Sequence, residues 1–303
     1  MNASYELHNI GHALWVRTTT IRGVGDWVIA KQYAQYIKEL ICVDGAFDAS
    51  SGRVLAYFFR LHTLSIDAHS DVILGTQNQF SYRDLFEALP SSLRRLDITR
   101  AHGPDARAIA IVRECSPYLE ELRLGRCTMF NSHPVCDFWR SFPFDHDSYM
   151  SDQGTDTYAH SLAQELLPLR SLKHLRLGLY LIPSTTVLAH RLYHRRGITA
   201  PAILEWQQPL ALIAPGAPGV AAQPMTRAEL ISLLHEPDPE SEFGSERMCT
   251  MCLSTTDEDS RRVEREANLI LKGLLPSLET IQWMSWFTPG HLGFNSYLLS
   301  KPN

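Results

Sequence analysis

A short apolar pattern recurs along the chain and constrains its fold more than any other feature. The pattern is an apolar residue, two variable residues, a second apolar residue, one variable residue and a third apolar residue. Copies begin at residue 37 and end at residue 283, with a truncated copy further upstream; they are 14–16, 37–42, 61–66, 93–98, 119–124, 172–177 and 278–283. Because alternate side chains of a strand point to opposite faces, each copy predicts a strand with buried apolar residues and solvent-facing variable residues.

The spacing of the copies points to a structural repeat. The intervals between Leu40, Leu64, Leu96 and Leu122 lie near the period of about 20–29 residues that leucine-rich repeats show. The intervals that follow Leu122 are much longer, so units there are expanded or unrecognisable. Self-similarity at such a period is typical of stacked repeat architectures.

A helix-like segment that ends at a proline precedes four of the copies, at Pro90, Pro117, Pro168 and Pro276. Proline cannot continue a helix, so each unit predicts a helix, a stop and a short strand. One such unit cannot bury its own apolar face, whereas stacked units share a continuous core. The sequence therefore predicts an α/β fold, an irregular leucine-rich-repeat solenoid whose curved parallel sheet has helices on its convex side. An ordinary α/β protein with leucine-rich parallel strands is the alternative.

The predicted organisation is a single domain over residues 1–303 with two insertions. Parallel strands are expected at 13–17, 39–43, 62–66, 95–98, 121–124, 174–177 and 280–283. The insertions span about 128–157, which is rich in aromatic and acidic residues, and about 178–256, which contains a proline, glycine and alanine tract. The aromatic segment 283–299 is expected to cover the end of the repeat, because a solenoid exposes the apolar edge of its last unit.

Composition excludes several classes of protein. Acidic residues number 33 and basic residues 28, which gives a net charge of −5 and argues against a nucleic-acid interface, since that needs a basic face. No apolar run reaches the roughly 18 residues of a membrane span, and no secretory signal is visible. Six cysteines are too few for a disulfide scaffold. We expect a protein of the cytoplasm or nucleus, without nucleic-acid or membrane partners.

Local catalytic motifs are missing from the sequence. It contains no GxSxG elbow, HExxH, phosphate-binding GxxxxGK[ST] or GxGxxG after a strand, so we expect neither an enzyme nor a cofactor. Cys249 and Cys252 form a CxxC motif, which can hold half of a zinc site or make a redox pair. No second pair follows them. The alternative function is therefore a metal-stabilised module, or a hydrolase whose site lies between the 128–157 insertion and Cys249 and Cys252.

Three strings carry a resemblance to a known family: LPSSLRRLDIT at 89–99, YLEELRLGRC at 118–127 and LLPSLETIQWMSWF at 274–287. They resemble the leucine-rich-repeat region of fungal F-box-type proteins, over about residues 10–290. In that family an N-terminal F-box binds a Skp-type adaptor of a cullin ubiquitin ligase, and the repeats hold the substrate. An F-box itself is not visible ahead of the first predicted strand. The resemblance thus implies recognition of another protein, such as a ubiquitination substrate, and does not extend to adaptor binding.

The variable strand residues are the predicted partner-binding surface, because their side chains should face solvent. They are mixed in charge in the middle of the sheet, where arginine recurs, and arginine is favoured at interfaces for its planar, bidentate fork. A merely solvated surface is the alternative interpretation. The predicted binding residues are Trp15, Arg17, Thr63, Ser65, Arg95, Asp97, Glu121, Arg123, His174, Arg176, Gln282 and Met284.

Overall fold

An open, mostly parallel sheet of eight strands dominates the protein. The computed structural model describes residues 2–47, 49–70, 73–74, 80–81, 88–101, 106–127, 154–182, 184–194, 197, 199–200, 249–288 and 291–299. The strands of the sheet are β1 (Thr18–Ile21), β2 (Glu39–Cys42), β3 (Thr63–Asp67), β6 (Arg95–Ala101), β7 (Glu121–Arg126), β8 (His174–Leu177), β9 (Thr280–Met284) and β10 (Phe294–Leu298). They follow one another in that order, all parallel except β10, which is antiparallel to β9. The predicted α/β class is therefore confirmed.

Helices occupy most of the connections between the strands. They are α1 (Asn2–Trp15), α2 (Asp26–Gln32), α3 (Ala49–Val54), α4 (Ala106–Cys115), α5 (Thr155–Leu166), α6 (Ser184–Leu192) and α7 (Thr250–Leu274). A 3₁₀ turn, Leu55–Tyr57, follows α3, and a small antiparallel pair, β4 (Ile73–Leu74) and β5 (Phe80–Ser81), lies between β3 and β6. Helix α5 packs between α4 and α7. Among the described residues, no helix has the length and apolarity that crossing a bilayer requires.

The apolar residues of the repeated pattern form straight rows across the sheet. Leu64, Leu96, Leu122 and Leu175 are direct partners in successive strands, and the row continues to Ile281. Each of these side chains is no more than 1% exposed. Six of the seven predicted strands thus lie side by side in one sheet, including those separated by the two long intervals.

The same turn precedes five of the strands. In each, the amide of the first apolar residue of the copy donates a hydrogen bond to the carbonyl three residues earlier, at 3.0–3.1 Å. The pairs are Leu61 with Phe58, Leu93 with Pro90, Leu119 with Ser116, Leu172 with Leu169 and Leu278 with Leu275. Each turn directs the chain into the strand that follows it. A proline lies in or next to four of the five turns, the exception being the turn at Leu61.

The prediction for the first strand is wrong. Residues 13–15 end helix α1, and the strand lies further along, at Thr18–Ile21. The structure follows side-chain preference here, because three threonines and an isoleucine are β-branched and favour extended backbone. Strand β1 pairs with β2 in parallel, with Thr19 opposite Leu40.

The C-terminal segment folds back over the end of the sheet, as expected. Trp286 and Phe287 are buried, and β10 returns antiparallel to β9. The Trp286 ring stacks on His291 with a centroid distance of 3.8 Å, and the hydroxyl of Tyr180 donates to the His291 carbonyl at 2.6 Å. These contacts tie the segment to the chain that leaves β8.

The two predicted insertions fall largely outside the described residues. Residues 128–153 of the first insertion are outside the described residues. Its last few residues are described, and they belong to α5, which begins at Thr155. Residues 201–248 of the second are also outside, including the proline, glycine and alanine tract. Its described parts are helix α6 and the beginning of α7.

Candidate functional site on the outward face of strands β6–β9

Eight polar side chains form two adjoining rows on the face of the sheet that points away from the apolar rows. We call them the charged strand face. The first row consists of the register partners Arg95, Glu121, His174 and Thr280. The second row consists of the register partners Asp97, Arg123, Arg176 and Gln282. All are half-buried, between buried neighbours along each strand. The alternation that buries the leucines therefore also gathers these side chains on one surface.

Four charges at one end of this face neutralise one another. Arg95 lies 3.4 Å from both Asp97 and Glu121, measured between charged side-chain atoms. Arg123 lies 3.7 Å from Asp97 and also pairs with Glu121. Each arginine thus contacts both carboxylates. Such partly exposed pairs contribute little to stability, typically about 0–1 kcal/mol, but together they hold the four side chains in fixed positions.

Arg176 continues the second row without a carboxylate beside it. Its Nε donates to the side-chain oxygen of Gln282, and its guanidinium lies 4.8 Å from the ring centroid of Phe294. Burial lowers the pKa of Arg176, and the neighbouring charge of Arg123 lowers it further. Within the part of the chain that the structure describes, no Asp or Glu lies within ion-pairing distance of Arg176. The carboxylates of Asp97 and Glu121 act on its charge only at longer range, so among the described residues Arg176 is held in place without a direct ion pair.

Polar neighbours fix the remaining side chains of the charged strand face. His174 Nδ1 lies 2.8 Å from the hydroxyl of Thr280, and Gln282 donates through Nε2 to Ser296 at 2.9 Å. An open cavity of about 290 Å³ lies over this part of the sheet; it is lined by Glu121, Arg123, His174, Leu175, Arg176, Thr280 and Gln282. Guanidinium, imidazole and amide groups converge there on one volume. Chemically, this arrangement can bind a carboxylate or the polar backbone of a peptide.

Two further predicted residues extend the face toward β3. Thr63 and Ser65 are half-buried and lie in register with Arg95 and Asp97. They add small hydroxyl side chains rather than charge. Beyond them, β2 places Glu39 and Ile41 in the same rows, and the sequence prediction had not included those two positions.

Three predicted residues lie elsewhere. Trp15 is at the end of α1 and Arg17 is in the turn before β1, because the first strand begins later than expected. Both are exposed, but neither belongs to the strand rows. Met284 is buried. The alternation of buried and half-buried residues in β9 stops at this position, and Ser285, which follows it, is buried as well.

The CxxC motif lies away from these strand residues, at the start of α7. Cys249 is the N-cap residue of the helix and Cys252 is 1% exposed. Two histidines of the preceding helical segment approach them: His194 Nδ1 is 3.0 Å and His190 Nδ1 is 3.4 Å from the sulfur of Cys252. Neither histidine was predicted as a ligand, because no second ligand pair follows the cysteines in the sequence. The signal was present before them, as His190-x-x-x-His194.

Comparison with known proteins identifies no relative. No family model, no curated protein and no solved structure matches the chain. The rows of polar side chains and the cysteine–histidine cluster are therefore the features from which a function can be argued.

Proposed function

We propose that this protein is a non-catalytic recognition scaffold that binds another protein through the charged strand face. The single observation that carries the proposal is the alignment of eight polar side chains from β6–β9 in two registered rows, with an open cavity over them. Side chains anchored on rigid strands lose little freedom on binding, which favours affinity.

The repeat architecture that we propose is a leucine-rich-repeat solenoid. Its support is a hydrogen-bond pattern that recurs at the start of six strands of the large sheet, β2, β3, β6, β7, β8 and β9. There the carbonyl of the residue just before one strand accepts amides from two consecutive residues of the next: Arg17 from Lys38 and Glu39, Lys38 from His62 and Thr63, His62 from Arg94 and Arg95, Arg94 from Glu120 and Glu121, Glu120 from Lys173 and His174, and Lys173 from Glu279 and Thr280. Identical junctions between successive units are what a stacked repeat requires.

The chemistry of the face specifies a partner that brings an acidic group. Arg176 supplies a fixed guanidinium that has no direct ion pair among the described residues, and Arg123 lies beside it in the same row. A carboxylate of the partner would pair with Arg176 and offset the repulsion between the two arginines. Glu121 and Asp97, on the other side, disfavour a partner that is acidic throughout.

The resemblance to F-box-type proteins extends the proposal to a biological setting. We propose that the bound protein is a substrate for ubiquitination and that recognition takes place in the cytoplasm or nucleus. The proposal concerns recognition of the bound protein and does not extend to the adaptor of the ligase. In this proposal the protein itself catalyses no reaction, and other components of the ligase carry out the ubiquitination.

The test is affinity capture from the source organism followed by direct binding with purified components. We expect a partner whose affinity falls roughly 30-fold or more in Arg176→Ala, the effect of losing an interface hot spot worth about 2 kcal/mol. Charge reversal, Arg176→Glu, should abolish capture. Deleting the gene should raise the abundance of the partner if the complex leads to ubiquitination.

The matched control is Arg265→Glu. Arg265 is exposed on α7 and pairs with Glu258, so its reversal makes the same change in net charge away from the strand rows. Partner binding that survives Arg176→Glu unchanged, or that falls equally in Arg265→Glu, would contradict the proposal. Circular dichroism of each variant separates lost binding from lost folding.

A further inference from the structure

The second cluster of functional side chains joins two helical segments that are far apart in the chain. Cys249 and Cys252 begin α7, and His190 and His194 lie at the end of α6, 62 and 58 residues before Cys252. Donor atoms of His190, Cys249 and Cys252 all lie within 4.8 Å of one another. We propose that these four residues bind one Zn²⁺ ion in a structural site that fastens α6 to α7.

The local structure places both cysteines at the beginning of a long helix. Cys249 is the N-cap of a helix of 25 residues, and its sulfur accepts a hydrogen bond from the backbone amide of Cys252 at 3.5 Å. The partial positive charge at a helix N-terminus favours thiolates, and thiolates are the form of cysteine that binds metal. A CxxC turn also places two sulfurs at the separation that a tetrahedral ion needs.

The two histidines reach the same sulfur from the end of α6. His190 lies in the last turn of the helix and His194 lies two residues beyond its end, and Nδ1 of each ring is within 3.4 Å of Cys252 Sγ. The spacing of each pair, C-x₂-C and H-x₃-H, is within the range of structural zinc sites.

The distances match tetrahedral coordination. With Zn–S near 2.3 Å and Zn–N near 2.0–2.1 Å, sulfur and nitrogen ligands of one ion lie about 3.6 Å apart. The observed separations from Cys252 Sγ are 3.0 Å to His194 and 3.4 Å to His190, which are close to that value. His194 lies outside the group of three whose ligand atoms are all within 4.8 Å of one another, so its ring has to move toward His190 and Cys249 to complete the tetrahedron. A pair of hydrogen-bonded thiols would not need two histidines at the same sulfur.

The charge balance also suits zinc. When Zn²⁺ binds, two S–H bonds break, two Zn–S bonds form, and both protons leave to solvent, while the two imidazoles donate lone pairs. The resulting centre of one divalent cation and two thiolates is neutral, and a neutral group is the one least penalised by burial beside the core. His190 already lies edge-on to Trp286, with ring centroids 5.7 Å apart, in a buried aromatic setting.

The arrangement is structural rather than catalytic. Four protein ligands fill the tetrahedron, whereas catalytic zinc keeps one position for water. This geometry therefore favours the metal-stabilised module over the hydrolase among the alternatives that the sequence left open. It also closes the chain between His194 and Cys249 into a loop, whatever conformation that segment has.

The test measures metal on the whole protein, purified under reducing conditions from zinc-supplemented cells. We expect about one zinc per chain by elemental analysis, and X-ray absorption that fits two sulfur and two nitrogen ligands. Titration with Co²⁺ should give the intense absorption of a tetrahedral thiolate site. Removing zinc with a chelator should lower the melting temperature, and adding it back should restore it.

Variants assign the ligands. Cys249→Ser and His194→Asn should each weaken Co²⁺ binding by at least tenfold and alter its spectrum, whereas Cys115→Ser and His160→Gln, on α4 and α5, should leave both unchanged. Absence of zinc together with failure to bind Co²⁺ in the wild-type protein overturns the proposal without relying on any variant. A Cys249–Cys252 disulfide in the protein isolated without reductant, with no metal bound after reduction, would overturn it in favour of a redox pair.

Discussion

The imidazole of His174 lies 2.8 Å from the hydroxyl of Thr280, although the two residues are 106 positions apart in the chain. Their strands, β8 and β9, are adjacent and parallel, with Leu175 opposite Ile281. The chain that connects β8 to β9 therefore leaves the sheet and returns so that β9 pairs with β8 in this register. The repeated pattern at both ends makes this possible, because only one register buries the apolar side chains of both strands.

The buried leucine row is the basis of the first prediction. Leu122 is fully buried between Leu96 and Leu175, so Leu122→Ala should lower the free energy of unfolding by about 2–5 kcal/mol, the range for removing a packed leucine. Urea denaturation followed by circular dichroism measures this. Leu269→Ala, at an exposed helical position, should change it by less than about 0.5 kcal/mol. A cost below about 1 kcal/mol for Leu122→Ala would mean that this row is not the core.

The strands could be predicted because their signal is local and repeated. Leu96, Leu122 and Leu175 each lie in a complete copy of the pattern, preceded in the sequence by a helix-like segment that ends at a proline, so period and propensity agree. The first strand lacked that agreement: Leu14 and Val16 alternate, but they belong to the end of a helical segment. The β-branched run from Thr18 carried the real signal, and it has no apolar residue at the position that matches Leu40.

A close backbone approach predicts opposite effects at two glycines. The amide of Gly178 donates to the Leu124 carbonyl at 2.7 Å, and a Cβ at Gly178 would lie 2.8 Å from the Arg126 nitrogen. Gly178→Ala should therefore destabilise the protein, by an amount on the order of 1–3 kcal/mol. Gly273→Ala, in α7 with open space around it, should stabilise by about 0.5–1 kcal/mol. Melting curves of both variants decide this, and equal effects would show that backbone crowding at Gly178 is not the cause.

The two side-chain clusters differ in how far sequence could reveal them. Arg123 and Arg176 occupy the same position of two recognisable copies, and Arg95 lies one strand period earlier in its own copy, so their common face follows from the strand period alone. The meeting of His194 with Cys252 depends on how the chain between α6 and α7 returns, and no periodic signal specifies that. Only the spacing within each pair was visible.

The buried carboxylate of Glu264 predicts a dependence of stability on pH. Glu264 is 1% exposed and accepts hydrogen bonds from Asn295, at 3.0 and 3.1 Å, and from the Tyr297 hydroxyl at 2.6 Å. Burial raises the pKa of Glu264 above its ordinary value of 4.5, although these bonds and the nearby Arg261 oppose the shift. As the pH is lowered, Glu264 therefore becomes protonated at a higher pH in the folded protein than in the unfolded chain. The stabilisation is complete below pH 4.5 and is lost as the pH rises through the folded pKa.

The variant that isolates this effect is Glu264→Gln, which cannot titrate. We expect the free energy of unfolding of the wild type, minus that of Glu264→Gln, to fall as the pH is raised from below 4.5 toward neutrality. Glu258→Gln, whose side chain is 84% exposed on the same helix, makes the same chemical change outside the core and serves as the control. A difference that rises with pH for Glu264→Gln would mean that the hydrogen bonds outweigh burial.

The C-terminal segment supplies the last prediction, since its aromatic residues could either cover the core or bind a partner. Trp286 is 2% exposed, stacks on His291 and meets Tyr180 edge-on at 5.5 Å, which assigns it to packing. Trp286→Ala should cost about 3–5 kcal/mol and promote aggregation, because truncation of a buried tryptophan leaves a large cavity. Leu298→Ala, 87% exposed on the edge strand, should leave the melting temperature unchanged within error. Deletion of residues 286–303 should reproduce the loss seen with Trp286→Ala. An unchanged melting curve combined with lost partner binding would instead make this segment part of the recognition surface.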